Sequence, residues 1–169
     1  HVVSGLGQVL IKFFDGTEQT VPGYSAKDEK RDLVSIKIKN NPNVRSVLMR
    51  QSDNINIGES VVAIGNPHGL SHSVSEGIVS GKREFEKGVL VLQTTAPVSP
   101  GSSGGGLFDM DGNLIGITSF LHNPISFLLY FSVFPNTWKI TDTPRRSLFP
   151  LGSLIDSFVL SFNTEFTLN

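Results

Sequence analysis

The 169-residue chain is expected to be all-β, a barrel or a sandwich. Three observations predict this. Segments rich in β-branched and aromatic residues are short, and turn residues separate them at regular spacing. Sixteen of the 17 glycines lie at or before Gly116, where they punctuate those segments. No helical period runs through residues 1–120.

Gln8 to Phe14 reads as the first strand, ending at Asp15-Gly16, a strong hairpin signal. Thr20 to Ala26, Leu33 to Ile38 and Val47 to Arg50 follow. Then come Ser60 to Gly65, Val74 to Ser80, Val89 to Thr95 and Leu114 to Phe120. Asp109-Met110-Asp111-Gly112 is a tight turn, and the charged run Lys82 to Lys87 reads as a solvated hairpin tip. The far end differs. Ile155, Phe158, Phe162 and Phe166 stand near helical spacing, with Ser153 and Asp156 as a capping box, and predict a short C-terminal helix over 153–166.

Composition narrows the function. At 38% hydrophobic and 17% charged, the chain is apolar enough to fold. A formal charge of −1 gives no reason to expect a nucleic-acid or polybasic membrane partner. The absence of cysteine excludes a disulfide scaffold, a thiolate zinc site and a cysteine nucleophile. No charged-then-apolar leader opens the sequence, which begins His1-Val2-Val3, and a signal peptide ahead of it stays open. From Gly112 to Trp138 no residue is charged. The longest apolar run there, Ile125 to Phe134, is too short for the roughly 20 residues of a spanning helix, so no membrane span is expected. His68 and His72 stand four apart, but neither a helical pattern nor a carboxylate accompanies them, and no metal is expected. Composition shifts near Phe120: eight of the 12 phenylalanines and only six of the 29 charged residues lie from there onward.

The segment with chemical content is Pro100-Gly101-Ser102-Ser103-Gly104-Gly105-Gly106-Leu107. A serine flanked by glycines can occupy a tight turn whose backbone N–H groups converge on one point. Such a nest stabilises the oxyanion formed when a hydroxyl attacks a carbonyl. A flexible glycine-serine loop remains open for this segment alone. A phosphate loop is less expected, because the sole Gly-Lys pair, Gly81-Lys82, is followed by Arg83, with no glycine at position 76. A serine hydroxyl needs a base, and the base needs an orienting group. His1 and Asp32 supply these residue types in the order His…Asp…Ser.

In that order the chain resembles trypsin-like serine peptidases of the HtrA/Deg type. The residues carrying the resemblance are His1-Val2-Val3, Asp32-Leu33-Val34, Val62-Ala63-Ile64-Gly65-Asn66-Pro67, Glu76-Gly77-Ile78-Val79-Ser80 and Gln93-Thr94-Thr95-Ala96. It continues through the serine segment, Leu107-Phe108, Asp111-Gly112 and Leu114-Ile115-Gly116-Ile117-Thr118, covering about residues 1–120. The resemblance implies a chymotrypsin-like double β-barrel. Residues 1–52 would be the remnant of the N-terminal barrel, incomplete because the family has strands ahead of the histidine. Residues 53–138 would form the C-terminal barrel carrying the nucleophile. Residues 139–169 are a tail too short for the PDZ module of many relatives.

The same resemblance implies a serine endopeptidase acting through an acyl-enzyme. His1 would be general base and acid, Asp32 the group fixing its tautomer, and Ser103 the nucleophile. The N–H groups of Gly101 and Ser103 would form the oxyanion hole. Ser119 and Phe120 would pair with the substrate backbone as an added strand, and Phe131 would wall the specificity pocket. Pro97, six residues before the nucleophile, falls where trypsin carries its pocket charge. With apolar Ala96 and Val98 beside it, an apolar preference is expected rather than Arg or Lys. Ser102 replaces the aspartate that receives a new N-terminus in trypsin, so no activation of that kind is expected. No cofactor is implied. Partners would be proteins or peptides in unfolded or extended form, and the compartment, by likeness, extracytoplasmic. The alternative is a catalytically silent fragment or peptide-binding module of the same fold.

Overall fold

A computed structural model describes residues 2–3, 7–39, 41–66, 73–85, 88–99, 101–119 and 130–132. The architecture is all-β. Among the described residues ten strands run in chain order: β1 (Val9–Lys12), β2 (Glu18–Val21), β3 (Ala26–Asp28), β4 (Leu33–Ser35), β5 (Ser60–Gly65), β6 (Ser73–Phe85), β7 (Val89–Thr94), β8 (Gly106–Asp109), β9 (Leu114–Ser119) and β10 (Tyr130–Ser132). A 3-10 turn, Ser52–Asn54, precedes β5. Among the described residues, no helix is long and apolar enough to cross a membrane.

The last six strands close a barrel in the order β10-β7-β6-β5-β8-β9, with β9 pairing back to β10. Every ladder in it is antiparallel. Closure gives each of the six strands a ladder partner on both sides over part of its length, and the β6–β7 hairpin runs on past the barrel through Phe85 and Val89. Ile55, Val61, Ala63, Val79, Leu92, Ala96, Leu107 and Ile115 fill the interior.

The first four strands make two separate two-stranded sheets, β1-β2 and β3-β4. Asp15-Gly16 turns the first hairpin as expected. The Asp15 carboxylate accepts from the Thr17 hydroxyl at 2.6 Å, the Thr17 amide at 2.9 Å and the Asn43 carboxamide at 2.7 Å. These bonds, led by the Thr17 hydroxyl, hold its pKa down at about 2. Val3, Val9, Ile11, Phe13, Val21, Ile36 and Ile38 form a second apolar cluster. A third joins this half to the barrel: Leu33 of β4 packs with Phe108, Leu114 and Ile117.

Several expected boundaries move. Thr20 to Ala26 is not one strand, because Pro22 has no N–H for a ladder and the chain turns at Pro22-Gly23 between β2 and β3. Val47 to Arg50 contributes a single parallel bridge, Met49 to Leu114, instead of a strand. There the Arg50 guanidinium turns to Glu59 at 2.8 Å and Asp109 at 3.4 Å, and also reaches the Asn54 carbonyl. Lys82 to Phe85 is not a hairpin tip but the end of β6, with Lys82 opposite Leu92 and Phe85 opposite Val89. Strand β8 was not expected. It lies between β5 and β9, and all four residues are buried, so it lacks the alternation that marks a half-exposed strand. The predicted helix over 153–166 lies outside the described residues.

Candidate active site

The serine segment leaves the barrel after β7 and re-enters it as β8. It is bound on both sides. The Gly104 amide donates to the Thr118 carbonyl at 2.8 Å, and the Thr118 amide donates to the Gly105 carbonyl at 2.8 Å, so the loop is laced to β9. The Thr118 hydroxyl donates to the same Gly105 carbonyl at 3.2 Å. On the other side the loop rests on the end of β5. A Cβ on Gly105 would lie 2.5 Å from the Ile64 carbonyl oxygen and 3.2 Å from the Gly65 Cα, so only glycine permits this approach. Within the loop the Ser102 amide donates to the Ser99 carbonyl at 3.1 Å and the Gly105 amide to the Ser102 carbonyl at 2.9 Å. Gly101 and Gly104, which flank the two serines, have φ of 95° and 88°, the left-handed region where a side chain is strained. A loop so bonded is not a floppy glycine-serine linker.

Ser102 is buried, whereas Ser103 is half-exposed. Among the described residues no hydrogen bond engages the amide of Gly101 or of Ser103, the two donors that the sequence singled out.

Asp32 enters from the other half of the chain. It immediately precedes β4 and is the sole described non-glycine residue with positive φ, 54°. Aspartate tolerates that conformation better than most residues, and such strain persists where the surroundings hold it. What holds it is visible. Leu33 is anchored in the cluster shared with Phe108, Leu114 and Ile117. The Ser119 hydroxyl then donates to the Asp32 carboxylate at 2.8 Å, across 87 positions of sequence. Ser119 follows Thr118, the residue bonded to Gly104 and Gly105 of the serine loop. Carboxylate and serine loop are therefore both fastened to the end of β9.

Ser119 was expected to serve substrate through its backbone; its hydroxyl contact with Asp32 was not foreseen. No local pattern signals a bond between residues so far apart. Pro97 is exposed, with buried Ala96 and half-buried Val98 on either side turned to the barrel core. Phe131 lies at the centre of β10, opposite Leu92 of β7 and Thr118 of β9. His1 and Phe120 lie outside the described residues.

A carboxylate and a serine loop fastened to one strand end, on a closed antiparallel barrel, define a class. The Trypsin-like peptidase domain family matches residues 1–117, and the chain belongs to it. Within that class it is of the HtrA/DegP type. It is 38% identical over 122 residues to a probable periplasmic serine endoprotease DegP-like of Halomonas elongata, covering 70% of this chain and 25% of that one. It is 32% identical over 181 residues to the corresponding protein of Hahella chejuensis, covering 100% of this chain and 38% of the other. Among solved structures, the HtrA-type protease AlgW with decapeptide matches at a TM-score of 0.69 and 33% identity, covering 79% of this chain and 42% of that chain. The fold is thus the chymotrypsin-type fold of HtrA proteases. The chain spans about a quarter to two-fifths of the length of these curated relatives.

Proposed function

We propose that the protein is a serine endopeptidase that cleaves proteins through an acyl-enzyme. The observation that carries this reading is the 2.8 Å bond from Ser119 to Asp32, which brings the carboxylate to the strand that also holds the serine loop. Ser103 is the nucleophile. His1 is the base that takes its proton and returns it to the leaving amine, and Asp32 orients the imidazole and stabilises its charged form. The Gly101 and Ser103 amides receive the oxyanion. Loss of one such donor typically costs about 10²–10³ in turnover.

Ser119 and Phe120 pair with an extended substrate as an added strand; the HtrA-type protease AlgW, a relative, has been solved with a decapeptide and with a tripeptide, which supports a peptide as the partner class. Pro97 and Phe131 bound a pocket for an apolar side chain ahead of the scissile bond. Relatives named periplasmic support an extracytoplasmic site of action.

The test is covalent labelling with a fluorophosphonate. Labelling that disappears in Ser103→Ala and is lost in Asp32→Ala supports the mechanism. A folded protein that never labels yet binds extended peptides would replace the enzyme with a peptide-binding module.

A further inference from the structure

Beyond Thr94 the β6–β7 ladder ends irregularly. The register slips between Val79 and Gly81, leaving Ser80 as an extra residue on β6. From there the chain heading for the serine loop is held by hydroxyls where strand carbonyls and amides would ordinarily serve. The Thr94 hydroxyl donates to the Ile78 carbonyl at 2.9 Å, and the Ile78 amide donates to the Thr95 hydroxyl at 2.9 Å. The Thr95 amide completes the group with a 3.0 Å bond to the Ile78 carbonyl. One step further, the Ser75 hydroxyl donates to the Pro97 carbonyl at 2.5 Å.

Between these bonds the backbone of residues 95–96 is pressed against Gly77, where a Cβ would lie 2.6 Å from the Ala96 Cα. Ala96 is buried in the barrel core with Val98 packed beside it. Pro97 is thus pinned by Ser75 two residues before Ser99, whose carbonyl accepts from the Ser102 amide at 3.1 Å to close the loop.

We infer that Ser75 is a specificity-determining positioning residue: its hydroxyl sets the position of the Pro97 backbone, and so the depth of the pocket for the side chain ahead of the scissile bond. The inference rests on the endopeptidase reading for the identity of that pocket. The ligand class is an extended peptide with an apolar side chain at that position, and Ser75 acts on the size of the chain admitted. Removing the hydroxyl frees the Pro97 carbonyl and lets the floor retreat, which favours a larger side chain. Threonine keeps a hydroxyl on the same strand position and restores the bond.

The experiment compares the wild-type chain, Ser75→Ala and Ser75→Thr on paired peptides with Val or Phe before the scissile bond. The Phe/Val ratio of kcat/KM should rise about fivefold in Ser75→Ala, the size of one ordinary hydrogen bond, and return to within about twofold of wild type in Ser75→Thr. The shift should fall in KM. The rate of Ser103 labelling by a small fluorophosphonate without a side chain for the pocket should stay within about twofold. A Phe/Val ratio unchanged in Ser75→Ala, or not restored by threonine, overturns the inference. If the wild-type protein neither cleaves nor labels, the endopeptidase reading is what fails. Equilibrium binding of the same two peptides, by fluorescence polarisation, then decides the role of Ser75 by the same ratio.

Discussion

The two halves of the molecule solve the same problem in different ways. From β5 to β10 the strands close on themselves, and ladders satisfy the backbone around one dense core. From β1 to β4 the chain makes two short ladders and completes its bonding with side chains. The Gln19 carboxamide both donates to the Lys39 carbonyl at 3.1 Å and accepts from the Lys39 amide at 3.0 Å, the exchange a neighbouring strand would make. Asp15, Thr17, Asn41 and Asn43 do similar service at the hairpin turn. The difference teaches where rigidity comes from. In a closed barrel, position follows from the ladder as a whole, so the serine loop is held wherever it meets β5 and β9. In the front half, position follows from individual contacts, and Asp32 reaches the site because Leu33 and Ser119 hold it there.

The comparison can be broken hardest in the barrel. Leu107 is fully buried among Ile55, Val61 and Leu92. Leu107→Ala should cost about 2–5 kcal/mol and lower the denaturant midpoint of the whole domain. Hydrogen exchange of β5 and β9 amides should accelerate together, because the ladder opens as a unit.

Leu33→Ala should act more locally. Leu33 belongs to the smaller cluster between the halves, and its truncation should cost about 2–3 kcal/mol at most. Exchange of β3 and β4 should accelerate while the barrel amides stay protected. Ser103 labelling should fall with it, since Asp32 loses its anchor. Equal loosening of both halves would mean that the front sheets are no more independent than the barrel strands.

The smallest effect belongs to the Asp15 turn. The Asp15 carboxyl titrates at about 2 in the folded chain against an ordinary 3.8, so its bonds add stability above roughly pH 4 and lose it as pH falls toward 2. The stability difference between wild type and Asp15→Asn should therefore be present at neutral pH, shrink below about pH 4 and vanish only below about pH 2. The group is fully exposed, so solvent and salt keep the effect small. A difference that persists at acid pH would assign the turn's stability to packing rather than to the carboxylate.

Much of the fold was legible before any coordinates. Ser60 to Gly65 forms a strand over its expected residues, and Val89 to Thr94 falls one residue short of its expected end. Both are short β-branched and aliphatic runs bounded by turn residues, a signal that lies within the segment itself. Gly106 to Asp109 was not legible, because a strand buried on both faces has no alternation and a run of glycines ahead of it resembles a loop. The end of β6 was hidden by the opposite signal, charge, which a strand tolerates when its partners Leu90 and Leu92 cover one face. In the site, Asp32 and Ser103 carried their signals in local motifs.

The order of residue types, the all-β class and the family were determined by the amino acids alone, because hydrophobic period, turn chemistry and short motifs are local properties of a chain. Tertiary structure decided the rest. Strand closure, the left-handed backbone at Asp32, the hydroxyl of Ser119 on its carboxylate and the seat of Gly105 against Ile64 all join segments far apart in sequence. Such contacts depend on which surfaces pack together, and no window of neighbouring residues encodes that.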